Sequence, residues 1–151
     1  MKFHHVGISV TDIHRSIAFY RDVLGMTLAM EPMEISGETI SMVNGLKDVK
    51  VLTCHMMAGD CSLELFEYAS PASNPKDPNY SVADRGISHF GVFVDDILGL
   101  YESCSAAGVV FHCPVQTFPS GMMATYGRDP DGNVFELLQQ GPRPTGAALP
   151  H

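Results

Sequence analysis

No run of apolar residues in this 151-residue chain is long enough to cross a bilayer, because polar or charged side chains break each one at strand length. The opening MKFHH has no hydrophobic stretch of the kind a secretory signal needs, so the cytoplasm is the expected compartment. Basic residues are few: nine Lys and Arg against 17 Asp and Glu leave a net charge of −8, and the nine are scattered. Nucleic acid and anionic membrane surfaces are therefore not expected as partners, since phosphates need a basic face. The four cysteines, Cys54, Cys61, Cys104 and Cys113, form no CxxC spacing. In a reducing compartment they read as buried thiols filling small spaces. Cys54 with His55, and His112 with Cys113, invite a zinc reading. Neighbours on a strand point to opposite faces, so each of those pairs could supply only one ligand.

What is present suits one globular domain, at 16.4 kDa with 45% hydrophobic residues. Its most informative feature is an internal repeat. HVGISVTDI, starting at residue 5, returns as HFGVFVDDI, starting at residue 89, a constant offset of 84 residues. Each copy reads as a strand followed by a helix. The first helix is expected over residues 12–24, with Asp12 as N-cap, Ile13, Ile17, Tyr20 and Leu24 at helical spacing, and Gly25 as its stop. The second is expected over residues 96–107, with Ile97, Leu100, Tyr101 and Cys104 on one face and Gly108 as its stop. Short interrupted apolar runs then predict strands over residues 27–29, 50–57 and 62–68 in the first copy, and 109–112, 122–127 and 133–139 in the second. The expected fold is α+β: two βαβββ modules (residues 1–69 and 86–140) within a single domain, 1–140. They are joined by a Pro-containing linker (70–85) and followed by a flexible tail or arm (141–151). Residues 34–48, a polar stretch with Gly37 and Gly45, read as a surface loop or a lid.

Strand alternation sorts the side chains. Val6, Ile8 and Val10 point under the helix, and His5, Gly7 and Ser9 point away; His89, Gly91 and Phe93 repeat that outward set. On the closing strands Leu63 and Leu65 face inward and leave Glu64 opposite, as Phe135 and Leu137 leave Glu136. Each copy thus contributes one His and one Glu to the same sheet face. His4 has the wrong parity and is the weaker candidate. If the two faces curl toward each other, unpaired carboxylates there would be costly to desolvate. A divalent cation resolves this, because two neutral imidazoles and two carboxylates balance its charge. Such a set suits nickel, cobalt, zinc, manganese, iron or magnesium.

HHVGISVTDIHRSIAFYRDVLGM, LELFEY, HFGVFVDDI and YGRDPDGNVFELL together resemble the vicinal oxygen chelate superfamily, which includes glyoxalase I, methylmalonyl-CoA epimerase, extradiol dioxygenases and the fosfomycin and bleomycin resistance proteins. The resemblance implies paired modules forming a cupped mixed sheet around a metal, often in a homodimer, with the family's ligands falling on His5, Glu64, His89 and Glu136. Extradiol enzymes want a further His where this chain has Thr117, Phe118 and Pro119. Glutathione-using glyoxalases carry Arg where Ser9 stands and Asn where Tyr68 stands. The epimerase closes with His-Pro-Lys, whereas Asp129, Pro130 and Asp131 stand here.

The expected activity is that of a metal-dependent isomerase, epimerase or lyase acting on a small oxygenated substrate. Glu136 or Glu64 is the expected base, and Phe66, Phe93, Met122 and Tyr126 the expected cavity lining. A non-catalytic sequestration protein, or an Fe(II)/Mn(II) extradiol-type dioxygenase, is the alternative.

Overall fold

The alternating run near the start of the chain forms β1 (His5–Ser9) in the computed structural model of the protein, which describes residues 2–141. Asp12 then caps α1 (Ile13–Ala18), accepting from the Arg15 backbone N–H at 2.9 Å. That N–H holds the Asp12 carboxyl below its ordinary pKa. A π-helical segment (Phe19–Val23) continues the helix, followed by β2 (Thr27–Leu28), β3 (Met33–Ser36), α2 (Glu38–Asn44), β4 (Lys50–Ala58) and β5 (Cys61–Ser70). These lie in the first of two compact units, Met1–Pro78. Their sheet runs β1-β5-β4-β2, with β3 also on β4; β1 is parallel to β5, and the other pairings are antiparallel. α1 packs on β4 and β5, burying Ile13, Ile17, Tyr20, Val51, Met56, Leu63 and Leu65. Burial of each large apolar side chain stabilises by about 1.5–3 kcal/mol.

The second unit, Asn79–His151, repeats the plan with β6 (Phe90–Phe93), α3 (Ile97–Ala106), β7 (Gln116–Thr117), β8 (Met122–Arg128) and β9 (Val134–Gln140). Its sheet runs β6-β9-β8-β7, with β6 parallel to β9. Asp96 caps α3 through the Gly99 N–H at 3.0 Å, and Ile97, Cys104, Phe135 and Leu137 are fully buried. Part of the expected linker is anchored here: the Tyr80 hydroxyl donates to the Ser88 carbonyl at 3.0 Å and accepts from the Val134 N–H at 3.3 Å. Arg128 lies over the Tyr80 ring. Among the described residues no helix is long and apolar enough to cross a membrane.

The repeat extends to the helix starts. The Ile13 N–H donates to Glu67 Oε2, and the Ile97 N–H to Gln139 Oε1, each at 2.7 Å. Both acceptors sit on the helix-facing side of a closing strand, where they satisfy an N–H that has no partner inside its helix. Glu67→Ala should cost roughly 1–2 kcal/mol and Gln139→Ala slightly less, because each leaves a part-buried donor unmet. Urea unfolding curves measure both.

Several local expectations need correction. The first helix does not run as a regular α-helix to Leu24. It widens after Ala18, with the Leu24 N–H bonding the Phe19 carbonyl five residues back. The extra residue lets Phe19 and Tyr20 both be buried and brings in Met26, while Leu24 is left half-buried. Residues 34–48 are not a loop: they hold most of β3 and all of α2, which runs between Gly37 (φ 104°) and Gly45 (φ 65°). No α2 residue is buried, so the segment has no apolar stripe to announce it.

The strand expected over 109–112 reduces to a single bridge, Phe111 to Gly127. Pro114, which has no N–H, interrupts the ladder before β7 resumes it. Cys54 and Cys104 are buried as expected; burial pushes the Cys54 thiol up to about 11. Cys61 and Cys113 are exposed, one beside the Gly59–Asp60 turn and the other just ahead of Pro114. Beyond Gly141, the expected tail lies outside the described residues.

Candidate functional site

The first His–Glu pair forms because β1 and β5 are parallel neighbours with Gly7 opposite Glu64. His5, two residues before Gly7, shares its face, and its Nε2 lies 3.1 Å from Glu64 Oε2. The two side chains are 40% and 16% exposed, so the carboxylate is sunk while the imidazole stays reachable. Two groups on β4 meet the other carboxylate oxygen. Thr53 Oγ1 donates to Oε1 at 3.2 Å, and His55, opposite Glu64 in the ladder, brings Nε2 to 3.5 Å. The remaining nitrogen of His55 is 3.0 Å from Ser62 Oγ. His4 precedes β1 and escapes its alternation: its Nδ1 is 2.7 Å from His5 Nδ1, and its ring stands edge-on to His5 and His55.

The second unit builds its pair the same way, with Gly91 opposite Glu136. His89, immediately before β6, places Nε2 3.3 Å from Glu136 Oε2, and Ser88 Oγ lies 2.9 Å from its Nδ1. A larger residue in place of this glycine would crowd the pair, because an added Cβ would sit 3.2 Å from that same carboxylate oxygen and from Leu138 Cδ1. Tyr126, opposite Glu136 on β8, sets its hydroxyl 3.3 Å from His89 Nε2. Burial, and then the charge of Glu136, raises the Tyr126 pKa, which keeps the hydroxyl protonated.

Of the expected cavity residues, Tyr126 therefore touches the second pair. Phe66 stacks on Tyr68 and approaches Gly7, where a Cβ would lie 3.1 Å from its ring. Phe93 is 70% exposed, and Met122 is half-buried on β8. Sequence reasoning missed Thr53 and the contact that His55 makes with Glu64. The signal was available: Gly59 and Asp60 form a two-residue turn, which fixes the β4–β5 register and sets His55 across from Glu64.

The donor atoms of each pair suit a divalent cation. Two donors roughly 2.1 Å from a metal and at right angles stand about 3 Å apart, close to the 3.1 and 3.3 Å of the two pairs. Each imidazole also has a neighbour on Nδ1, His4 or Ser88, of the kind that orients a ring coordinating through Nε2. Among the described residues no group of three or more His, Cys, Asp or Glu is arranged to hold a metal by itself.

Residues 2–137 match the family model of the Glyoxalase/Bleomycin resistance protein/Dioxygenase superfamily. The chain belongs to this superfamily. A lactoylglutathione lyase of Arabidopsis thaliana is 31% identical to it over 144 residues, covering 95% of this chain and 46% of the plant protein. The chain thus spans about half the length of that glyoxalase relative. YwbC of Bacillus subtilis is 28% identical, covering 92% of this chain and 98% of its own. Among solved structures, a glyoxalase family protein from Bacillus cereus superposes with a TM-score of 0.86 at 20% identity, covering 94% and 95% of the two chains. The fosfomycin resistance protein FosX from Listeria monocytogenes gives a TM-score of 0.62 at 15% identity, over 92% and 93%. These two structures share the fold.

Proposed function

We propose that the protein is a metal-dependent enzyme of the glyoxalase-like superfamily, an isomerase, epimerase or lyase that acts on a small substrate through two vicinal oxygens. The observation that supports this is the repeated pair, His5 with Glu64 and His89 with Glu136, one in each unit. All four residues would serve one divalent cation. When bound, that cation polarises the substrate oxygens and lowers the cost of removing a proton from the carbon beside a carbonyl.

Glu136 is the base in this reading. Both oxygens of Glu64 are engaged, whereas among the described residues Glu136 meets only His89, and only at Oε2. Its other oxygen is left to take the proton. Tyr126, protonated, can donate to a substrate oxygen, and Phe66, Phe93 and Met122 would supply apolar walls that exclude water. Ser9 and Tyr68 stand where glutathione contacts would be needed, so the substrate is taken to be a small oxygenated molecule other than a glutathione conjugate. The working form is taken as a homodimer, as the family resemblance implies.

Elemental analysis of the purified protein is the first test. The metal-loaded protein is then incubated with α-hydroxy thioesters, acyl-CoAs and catechols. Stoichiometric nickel, zinc or cobalt with proton exchange at the α-carbon is the expected result. Tight ligand binding without metal or turnover would instead mean sequestration, and iron-dependent catechol cleavage would mean oxygenation.

A further inference from the structure

β4 does something in the first unit that β8 does not do in the second. Carboxylate oxygens only accept, so a hydrogen on the His55 Nε2 that faces Glu64 Oε1 at 3.5 Å would make the ring a donor to that oxygen. In that neutral tautomer Nδ1 would accept, and the Ser62 hydroxyl at 3.0 Å is placed to donate to it. Thr53, two residues earlier on the same face, donates to the same Oε1. His55, backed by Ser62, and Thr53 thus engage one oxygen of Glu64 and leave Oε2 turned toward His5. In the second unit the position opposite the glutamate is Tyr126, whose hydroxyl meets His89 instead. The counterpart of Thr53, set against Leu138 as Thr53 is set against Phe66, is Ala124, which has nothing to donate.

From this asymmetry we infer that His55, supported by Thr53, is a positioning residue: it holds Glu64 in one orientation, so that a single oxygen is presented beside His5. The inference rests on the reading of Glu64 as a metal ligand. It makes Glu64 the held carboxylate, whereas among the described residues Glu136 has no such support from β8. The partners of a ligating carboxylate typically matter by tenfold to a hundredfold in metal affinity.

Two readouts test it. In metal-free protein, long-range ¹H–¹⁵N spectra should show His55 with its hydrogen on Nε2, and Ser62→Ala should disturb that preference. In Co(II) titrations followed by visible absorption, His55→Phe should weaken binding by roughly tenfold to a hundredfold. His55→Gln, whose amide can donate to Oε1, should recover most of the loss, and Thr53→Val should weaken binding less but in the same direction. Circular dichroism checks that each variant is folded; should His55→Phe not fold, Thr53→Val and Ser62→Ala carry the titration. Wild-type affinity in His55→Phe, no recovery in His55→Gln, or the hydrogen on Nδ1 would each overturn the assignment. If the wild type itself takes up no Co(II), the metal reading fails, and the tautomer alone then decides whether His55 positions Glu64.

Discussion

Glu136→Gln is expected to slow turnover of whichever substrate the screen identifies by roughly 10²–10⁴-fold, the usual contribution of a positioned base, while leaving the cation partly bound. The reasoning is chemical. Glutamine keeps the carbonyl oxygen near His89 and almost the same volume, so the β6–β9 face need not repack; what it loses is the ability to take a proton. Glu64→Gln should behave differently. Its carboxylate is met by His5, His55 and Thr53; an amide there can keep one oxygen for His55 and Thr53, but it replaces the anionic oxygen beside His5 with an NH2 group that cannot ligate a cation. Metal affinity should fall first and turnover with it. Measuring kcat beside Co(II) affinity for both variants separates the roles. Unchanged kcat in Glu136→Gln removes it as the base.

Much of this site was legible because β-strand alternation is strict. Once residues 5–9 are read as a strand with Val6 and Ile8 on its less exposed side, the opposite direction of His5 and Gly7 is forced, and the same logic sets Glu64 against the buried Leu63 and Leu65. The helix starts were equally readable, because Asp12 and Asp96 act through local hydrogen bonds that need no knowledge of the rest of the chain. What escaped depends on pairing between segments. His55 was read against its neighbour Cys54 and not across the hairpin to Glu64, although the register follows from the two-residue turn. α2 escaped for another reason: a seven-residue helix that buries nothing has no hydrophobic period, and its two bounding glycines look like loop. The π-helical widening at Phe19 is a packing outcome, decided by which aromatic rings can be buried together, and no local residue pattern encodes it.

The second large effect concerns whether two pairs make one centre. A cation held at about 100 times its Kd should stabilise the folded protein by about 2.7 kcal/mol. For a chain of this size that is a rise in Tm of roughly 5–11 °C. His5→Ala and His89→Ala should each remove most of this rise, although the two residues belong to different units. The double variant should then be little worse than either single one, because a centre already missing one of its four ligands has little binding left to lose, and strong non-additivity is the mark of residues acting as a unit. Two independent sites predict the opposite: each single substitution would remove about half of the metal-dependent shift, and the double would sum them. Calorimetric scans of the wild type and the three variants, with and without Co(II), measure all four values. Additive losses would sink the single-cation reading while leaving the His–Glu pairs themselves intact, since each pair is built within its own unit by its own parallel strands.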